Sequence, residues 1–138
     1  MINEEALKEI TLDVKKKAID DGYEIIWPTR GGSMSPLLKT NNRIVVVKCD
    51  IDRLMPGDII LYTSRDNKRA IAHRFIKKIR VNGKFMFLAK GDSAFNYDAP
   101  VAMDAIVGRI VKIKRQRFAI YLNTSLGRFI NILTLILS

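Results

Sequence analysis

The sequence is short of the residues on which many kinds of site depend. It has one cysteine, Cys49, so no internal disulfide can form and no cysteine-cluster metal site is possible. It has one histidine, His73, which excludes a histidine-rich zinc site within the chain. There is no apolar run of about 18 residues or more, and hence no clear transmembrane helix is expected. The first twenty residues or so mix charges and lack the apolar stretch of a secretory signal. Acidic residues are also few, 14 against 24 lysines and arginines, leaving a formal net charge of +10. Such an excess suits nucleic acid or the anionic face of a membrane. The basic residues Arg109, Lys112, Lys114, Arg115 and Arg117 crowd together, with Arg128 further on. No aromatic residue interleaves the first five, as a base-stacking surface requires, so a nucleic-acid partner is the less favoured one.

What remains is a globular composition. Apolar residues make up 48% of 138, enough for one domain with one core. Leu7, Ile10, Val14 and Ala18 recur at helical steps and predict an amphipathic helix over residues 3–20, with Gly22 as its stop. From there the signals are β: a strand over residues 25–27, then strands over 43–48, 59–63, 70–81, 84–90 and 106–114. Pro56-Gly57-Asp58, Asp66-Asn67-Lys68 and Asn82-Gly83 mark turns, the last a hairpin signal. Cys49 follows a β-branched run and reads as an ordinary strand cysteine. Short strands without a βαβ rhythm predict a mostly β barrel or coiled sheet. The expected organisation is a helix over 1–22, a β domain over 23–117 and an apolar tail over 118–138. Residues 129–138 would span only about 15 Å as a helix, half a bilayer core. They could lie in the interface, pack on the domain or begin a longer span.

Three segments have the residue types for chemistry. In Gly31-Gly32-Ser33-Met34-Ser35-Pro36, two glycines permit a tight turn that exposes a serine hydroxyl and lets another backbone approach, and Pro36 stops ladder pairing just beyond. Alone, such a segment is an ordinary surface turn. In Ile71-Ala72-His73-Arg74-Phe75, alternation puts His73 on the face of Ile71 and Phe75. A histidine there is either a satisfied core residue or a base, the one side chain here whose usual pKa suits that task near neutral pH. In Lys90-Gly91-Asp92-Ser93-Ala94-Phe95-Asn96-Tyr97-Asp98, each aspartate either caps nearby amides or orients the imidazole.

Taken in order, Gly32-Ser33-Met34-Ser35-Pro36, Ala72-His73-Arg74-Phe75-Ile76-Lys77, Phe87-Leu88-Ala89-Lys90-Gly91-Asp92 and Asp104-Ala105-Ile106-Val107-Gly108-Arg109 resemble signal peptidase I. The resemblance is closest to the archaeal and endoplasmic-reticulum type, in which histidine replaces the lysine base. It covers about residues 27–113, and Pro56-Gly57-Asp58-Ile59-Ile60 resembles that family's turn before a strand. It implies a coiled, mostly β fold and cleavage after small residues in an extended leader or preprotein, whose chain adds as a strand beside the nucleophile. It implies Ser33 as nucleophile, His73 as base and Asp98 as third member, with Asp92 the alternative. Gly31, Gly32, Met34 and Pro36 fall at its oxyanion and substrate-binding segment. It implies no metal and no cofactor.

Two departures stand out. The family often has a serine two residues before the nucleophile; here the residue is Gly31. The oxyanion hole would then depend on the Ser33 amide and a further donor such as Thr29, and losing one donor costs on the order of 100-fold in rate. The family's N-terminal anchor is replaced by a charged helix, so the expected location is cytoplasmic or peripheral to an anionic membrane. An imidazole base predicts a rate that rises through about pH 6–7; a lysine base, Lys90 or Lys77, would act only above about pH 9. The rival readings are a self-cleaving, LexA-like peptidase, and a non-catalytic basic β module that binds membrane or nucleic acid.

Overall fold

The computed structural model describes residues 4–35, 37–38, 42–115 and 119–122. The chain is mostly β, a coiled antiparallel sheet that carries one α-helix among the described residues. The helix α1 spans Glu4–Asp20, and the strands are β1 (Ile25–Pro28), β2 (Arg43–Val47), β3 (Ile59–Thr63), β4 (Ala70–Val81), β5 (Lys84–Lys90), β6 (Val101–Ala102), β7 (Ile106–Lys114) and β8 (Ala119–Tyr121). Their order in the sheet is β1-β2-β7-β3-β4-β5-β6, with β8 also on β7. Single 3-10 turns lie at Ile51–Arg53 and Met103–Ala105.

The turns form where backbone freedom is available. Asn82 and Gly83 both take positive φ, 50° and 80°, which matches the twist a two-residue hairpin needs. This turn returns β4 directly onto β5, from Val81↔Lys84 to Arg74↔Lys90. The helix ends at Gly22, φ 97°, where Gly22 N–H bonds the Ile19 carbonyl at 2.9 Å. A left-handed residue there caps the last turn.

Alternation then builds two apolar clusters. Ile59 and Leu61 of β3 join Ile44, Val46, Val107, Ile110 and Ile113 on one face, with Ala70 and Ala72 against them. Ile60 and Tyr62 join Phe75, Phe87 and Ala89 on the other, with Ile71 alongside. All five residues of β3 are buried, as expected of a continuous apolar run covered on both faces.

The helix packs by a different stripe from the one its spacing suggested. Leu12 and Ile19, two turns apart, are buried, while Ile10 and Val14 remain 48% and 64% exposed. The side chain of Leu7 lies outside the described residues. Leu12 and Ile19 are seven positions apart and share a face. Lys15 adds a cation–π contact, its Nζ 4.4 Å from the Trp27 ring centre.

The sheet also runs past residue 117. Ile113 pairs with Ile120, and Leu122 is buried with its N–H on the Val111 carbonyl. Part of the expected tail is therefore a strand. Arg117, Arg128 and the segment 129–138 lie outside the described residues. No helix among the described residues is long and apolar enough to cross a membrane.

Candidate functional site

Ser33 lies in the loop that follows β1. Gly31 begins it with φ 83°, a backbone conformation that any side chain would strain. A Cβ at Gly31 or Gly32 would meet no atom of the described residues within 4 Å, so the loop before Ser33 is open on that side. Behind Ser33 the loop is anchored. Met34 is buried in the core with Leu37 and Leu38, and its sulfur accepts the Asp92 N–H at 3.4 Å. Met34 therefore holds the loop from beneath and does not line its open side, in contrast to its expected place in a substrate-binding segment. Pro36 lies outside the described residues.

His73 stands on β4 opposite Ile60, on the same face as Tyr62 and Phe75, as alternation predicts. Its Nε2 is 2.9 Å from Ser33 Oγ, and its Nδ1 is 2.5 Å from Asp98 Oδ2. A carboxylate can only accept, so Nδ1 bears the proton and Nε2 is left to receive the serine's. Asp98 is fixed from its own backbone, its N–H donating to the Ala89 carbonyl at 2.8 Å. Ser33 is exposed, whereas the side chains of His73 and Asp98 are 13% and 22% exposed. The hydroxyl thus faces solvent while its supports are shielded.

Asp92, the alternative third member, is elsewhere. It forms a two-pronged ion pair with Arg74, Nε to Oδ1 and Nη2 to Oδ2, each at 2.8 Å. Arg74 also donates to the Gly57 carbonyl at 2.7 Å. Neighbours on a strand point to opposite faces, so the partner of Arg74 cannot also serve His73. Asp92 instead braces the turn that holds the Ser33 loop. Ser93 N–H bonds the Ser33 carbonyl at 2.8 Å, and Ser93 Oγ the Ser35 carbonyl at 2.9 Å.

Two residues outside the expected set complete the centre. Gly91 lies against both partners: a Cβ there would be 2.8 Å from the Ser33 carbonyl and 3.1 Å from His73 Nε2. Tyr62 is buried and donates its hydroxyl proton to Asp98 Oδ2. Its position on β3, beside a strand that alternates around His73, was the available signal. Thr29, the expected second oxyanion donor, gives its hydroxyl proton to the Asn42 carbonyl at 3.0 Å. The Ser33 amide has no acceptor among the described residues.

The electrostatics follow from burial and these bonds. Burial alone raises the Asp98 carboxyl, but the hydrogen bonds from His73 and Tyr62 and the charge on His73 outweigh it and hold it below its usual value. Burial, then the bond to Asp98 and its negative charge, push the Tyr62 phenol far up, so it stays a neutral donor. Cys49 is held as a thiol. Burial, opposed by Arg109 and reinforced by Asp58 and Asp50, pushes its thiol up to about 11, and the reactive form is the thiolate. It lines a separate cleft of about 310 Å³ with Lys16, Asp20 and Lys48. Lys90 Nζ approaches the Gly91 carbonyl, at 3.5 Å, and it is the imidazole that meets the Ser33 hydroxyl. No family model matches the chain, and no curated protein matches it.

Proposed function

We propose that the chain is a serine endopeptidase resembling signal peptidase I, which cleaves leader or signal peptides after small residues. The unbroken line from Ser33 Oγ through His73 to Asp98 carries this reading. Ser33 Oγ attacks the scissile carbonyl and His73 Nε2 takes its proton, giving an ester-forming tetrahedral intermediate. His73 returns that proton to the departing amine as the C–N bond breaks. Water then repeats the exchange, its proton passing through His73 to Ser33 as the acyl bond is hydrolysed. Asp98 keeps the proton on Nδ1 and steadies the imidazolium. The unbonded Ser33 amide suits an oxyanion, and with Thr29 committed elsewhere the hole has one fewer donor, consistent with a slow enzyme.

Two features support an extended peptide as substrate. Gly31 and Gly32 have no atom of the described residues within 4 Å of where a Cβ would lie, which leaves room beside the loop for another backbone. Strand β1, which leads into the nucleophile loop, has β2 as its one neighbour among the described strands, so its outer edge can accept another strand. Contact with an anionic membrane surface is supported by Arg43 facing Lys114 across β2 and β7, with Lys112 on the same face. Binding to anionic vesicles that fades with added salt tests that contact.

The deciding experiment compares wild type with Ser33→Ala on a library of extended peptides read by mass spectrometry. Cuts after small residues in the wild type alone are expected. Identical profiles, together with no labelling of Ser33 by a fluorophosphonate, overturn the reading.

A further inference from the structure

The centre holds one polar group that a three-residue mechanism does not use. Tyr62 lies at the middle of the sheet, 4% exposed. Its ring packs edge-on against Phe87, with centroids 5.4 Å apart, and against the imidazole at 6.2 Å. A phenylalanine would satisfy that packing. The hydroxyl, however, has a specific target. It donates to Asp98 Oδ2, the same oxygen that receives His73 Nδ1–H, and lies 3.4 Å from Nδ1 itself.

We infer that Tyr62 is a positioning residue, whose hydroxyl fixes the Asp98 carboxylate and shares its charge, so that the carboxylate stays aligned on His73 Nδ1–H. This rests on the peptidase reading. One carboxylate oxygen serving two donors is held in two directions, which removes the rotation that would let Asp98 leave the imidazole. The second donor also draws negative charge from that oxygen. A carboxylate relieved of it grips an imidazolium more tightly, and a higher pH is then needed to free Nε2. Among the described residues, the side chains within hydrogen-bonding reach of His73 are Ser33, Asp98 and Tyr62. Of the charged groups nearby, Arg74 and Asp92 are paired together on the opposite face, and Lys90 is directed to the Gly91 carbonyl.

The test is Tyr62→Phe, which keeps the ring, alone and combined with Asp98→Asn. With peptide substrate, kcat is expected to fall about 10-fold, the scale of one hydrogen bond to a charged group. KM should stay the same, and the acidic limb of the rate profile should move to higher pH. A structural role alone would move neither the limb nor kcat at fixed KM. Because the chain has one histidine, the Nδ1–H proton signal in NMR can be followed without substrate. It is expected to shift in Tyr62→Phe and to be unaffected by the tyrosine once Asp98 is asparagine. An unchanged profile and signal overturn the inference, as does a tyrosine effect that persists undiminished beside Asp98→Asn. A signal that shifts as expected in a protein that cuts no peptide upholds the positioning and removes only the peptidase reading.

Discussion

A glycine is the tightest point of the centre. The space a methyl group would take at Gly91 is already filled by the Ser33 backbone and the edge of the imidazole. In Gly91→Ala, the nucleophile loop or His73 must give way by several tenths of an ångström at the reacting atoms. Misplacement on the ångström scale costs on the order of 100-fold. A loss of that size in kcat/KM is expected, together with a lowered thermal midpoint, because Gly91 is itself buried and its neighbour is backbone. Retention of full activity would show that the loop is free to move. The two aspartates separate by a similar argument. Asp98→Asn should lose on the order of 1,000-fold or more in kcat. Its carboxyl is depressed in the folded chain, so it adds stability that is fully present above the ordinary value of 3.8 and is lost as pH falls through the lower folded value. Urea midpoints of wild type and Asp98→Asn are therefore expected to differ at pH 6 and to converge as the pH drops below 3.8. Asp92→Asn leaves Arg74 charged and 1% exposed with a neutral amide in place of its carboxylate. It should cost about 3–5 kcal/mol of folding stability, a loss read in the same urea series at neutral pH.

At the scale of elements, β3, β4 and β5 have the bounds that their sequence pattern predicts, because each is a stretch with recurring large apolar residues between turn signals. Alternation along β4 likewise put His73 on the face where the structure has it. The same rule, applied one residue further, would have separated the aspartates, since whichever one meets Arg74 must lie away from His73. What decided that question was loop direction over residues 91–98, and spacing does not encode it. Strands β6 and β8, of two and three residues, are too short for any period to show; only their neighbours' free edges create them. On α1 the stripe of Ile10 and Val14 was the more regular one, yet Leu12 and Ile19 are buried. Two apolar stripes were present, and the docking of the helix chose between them. Tyr62 was missed because a tyrosine in an apolar strand reads as packing, and its hydroxyl gains a purpose only once Asp98 is in place.

The whole molecule depends on one strand. Among the described strands, β1 and β2 reach the rest of the sheet only through β7, which pairs β2 on one side and β3 on the other. Ser33 belongs to the first side by chain connection, and His73 and Asp98 to the second. Strand β7 fits closely between them: a Cβ at Gly108 would lie 2.4 Å from the Val47 carbonyl. Its Ile113 is fully buried in the cluster that also holds Met34, Leu37 and Leu38 of the nucleophile loop. Truncation in β7 should therefore weaken the sheet and the centre as one unit. Ile113→Ala is expected to cost about 2–5 kcal/mol and to lower the urea midpoint without creating a second transition. Fluorophosphonate labelling of Ser33 and the far-ultraviolet signal of the sheet should then vanish together. If labelling disappears at distinctly lower urea while the sheet signal persists, the nucleophile loop opens independently of β7. The link between core and catalysis would then lie in the Ser93 clamp on the Ser33 carbonyl alone.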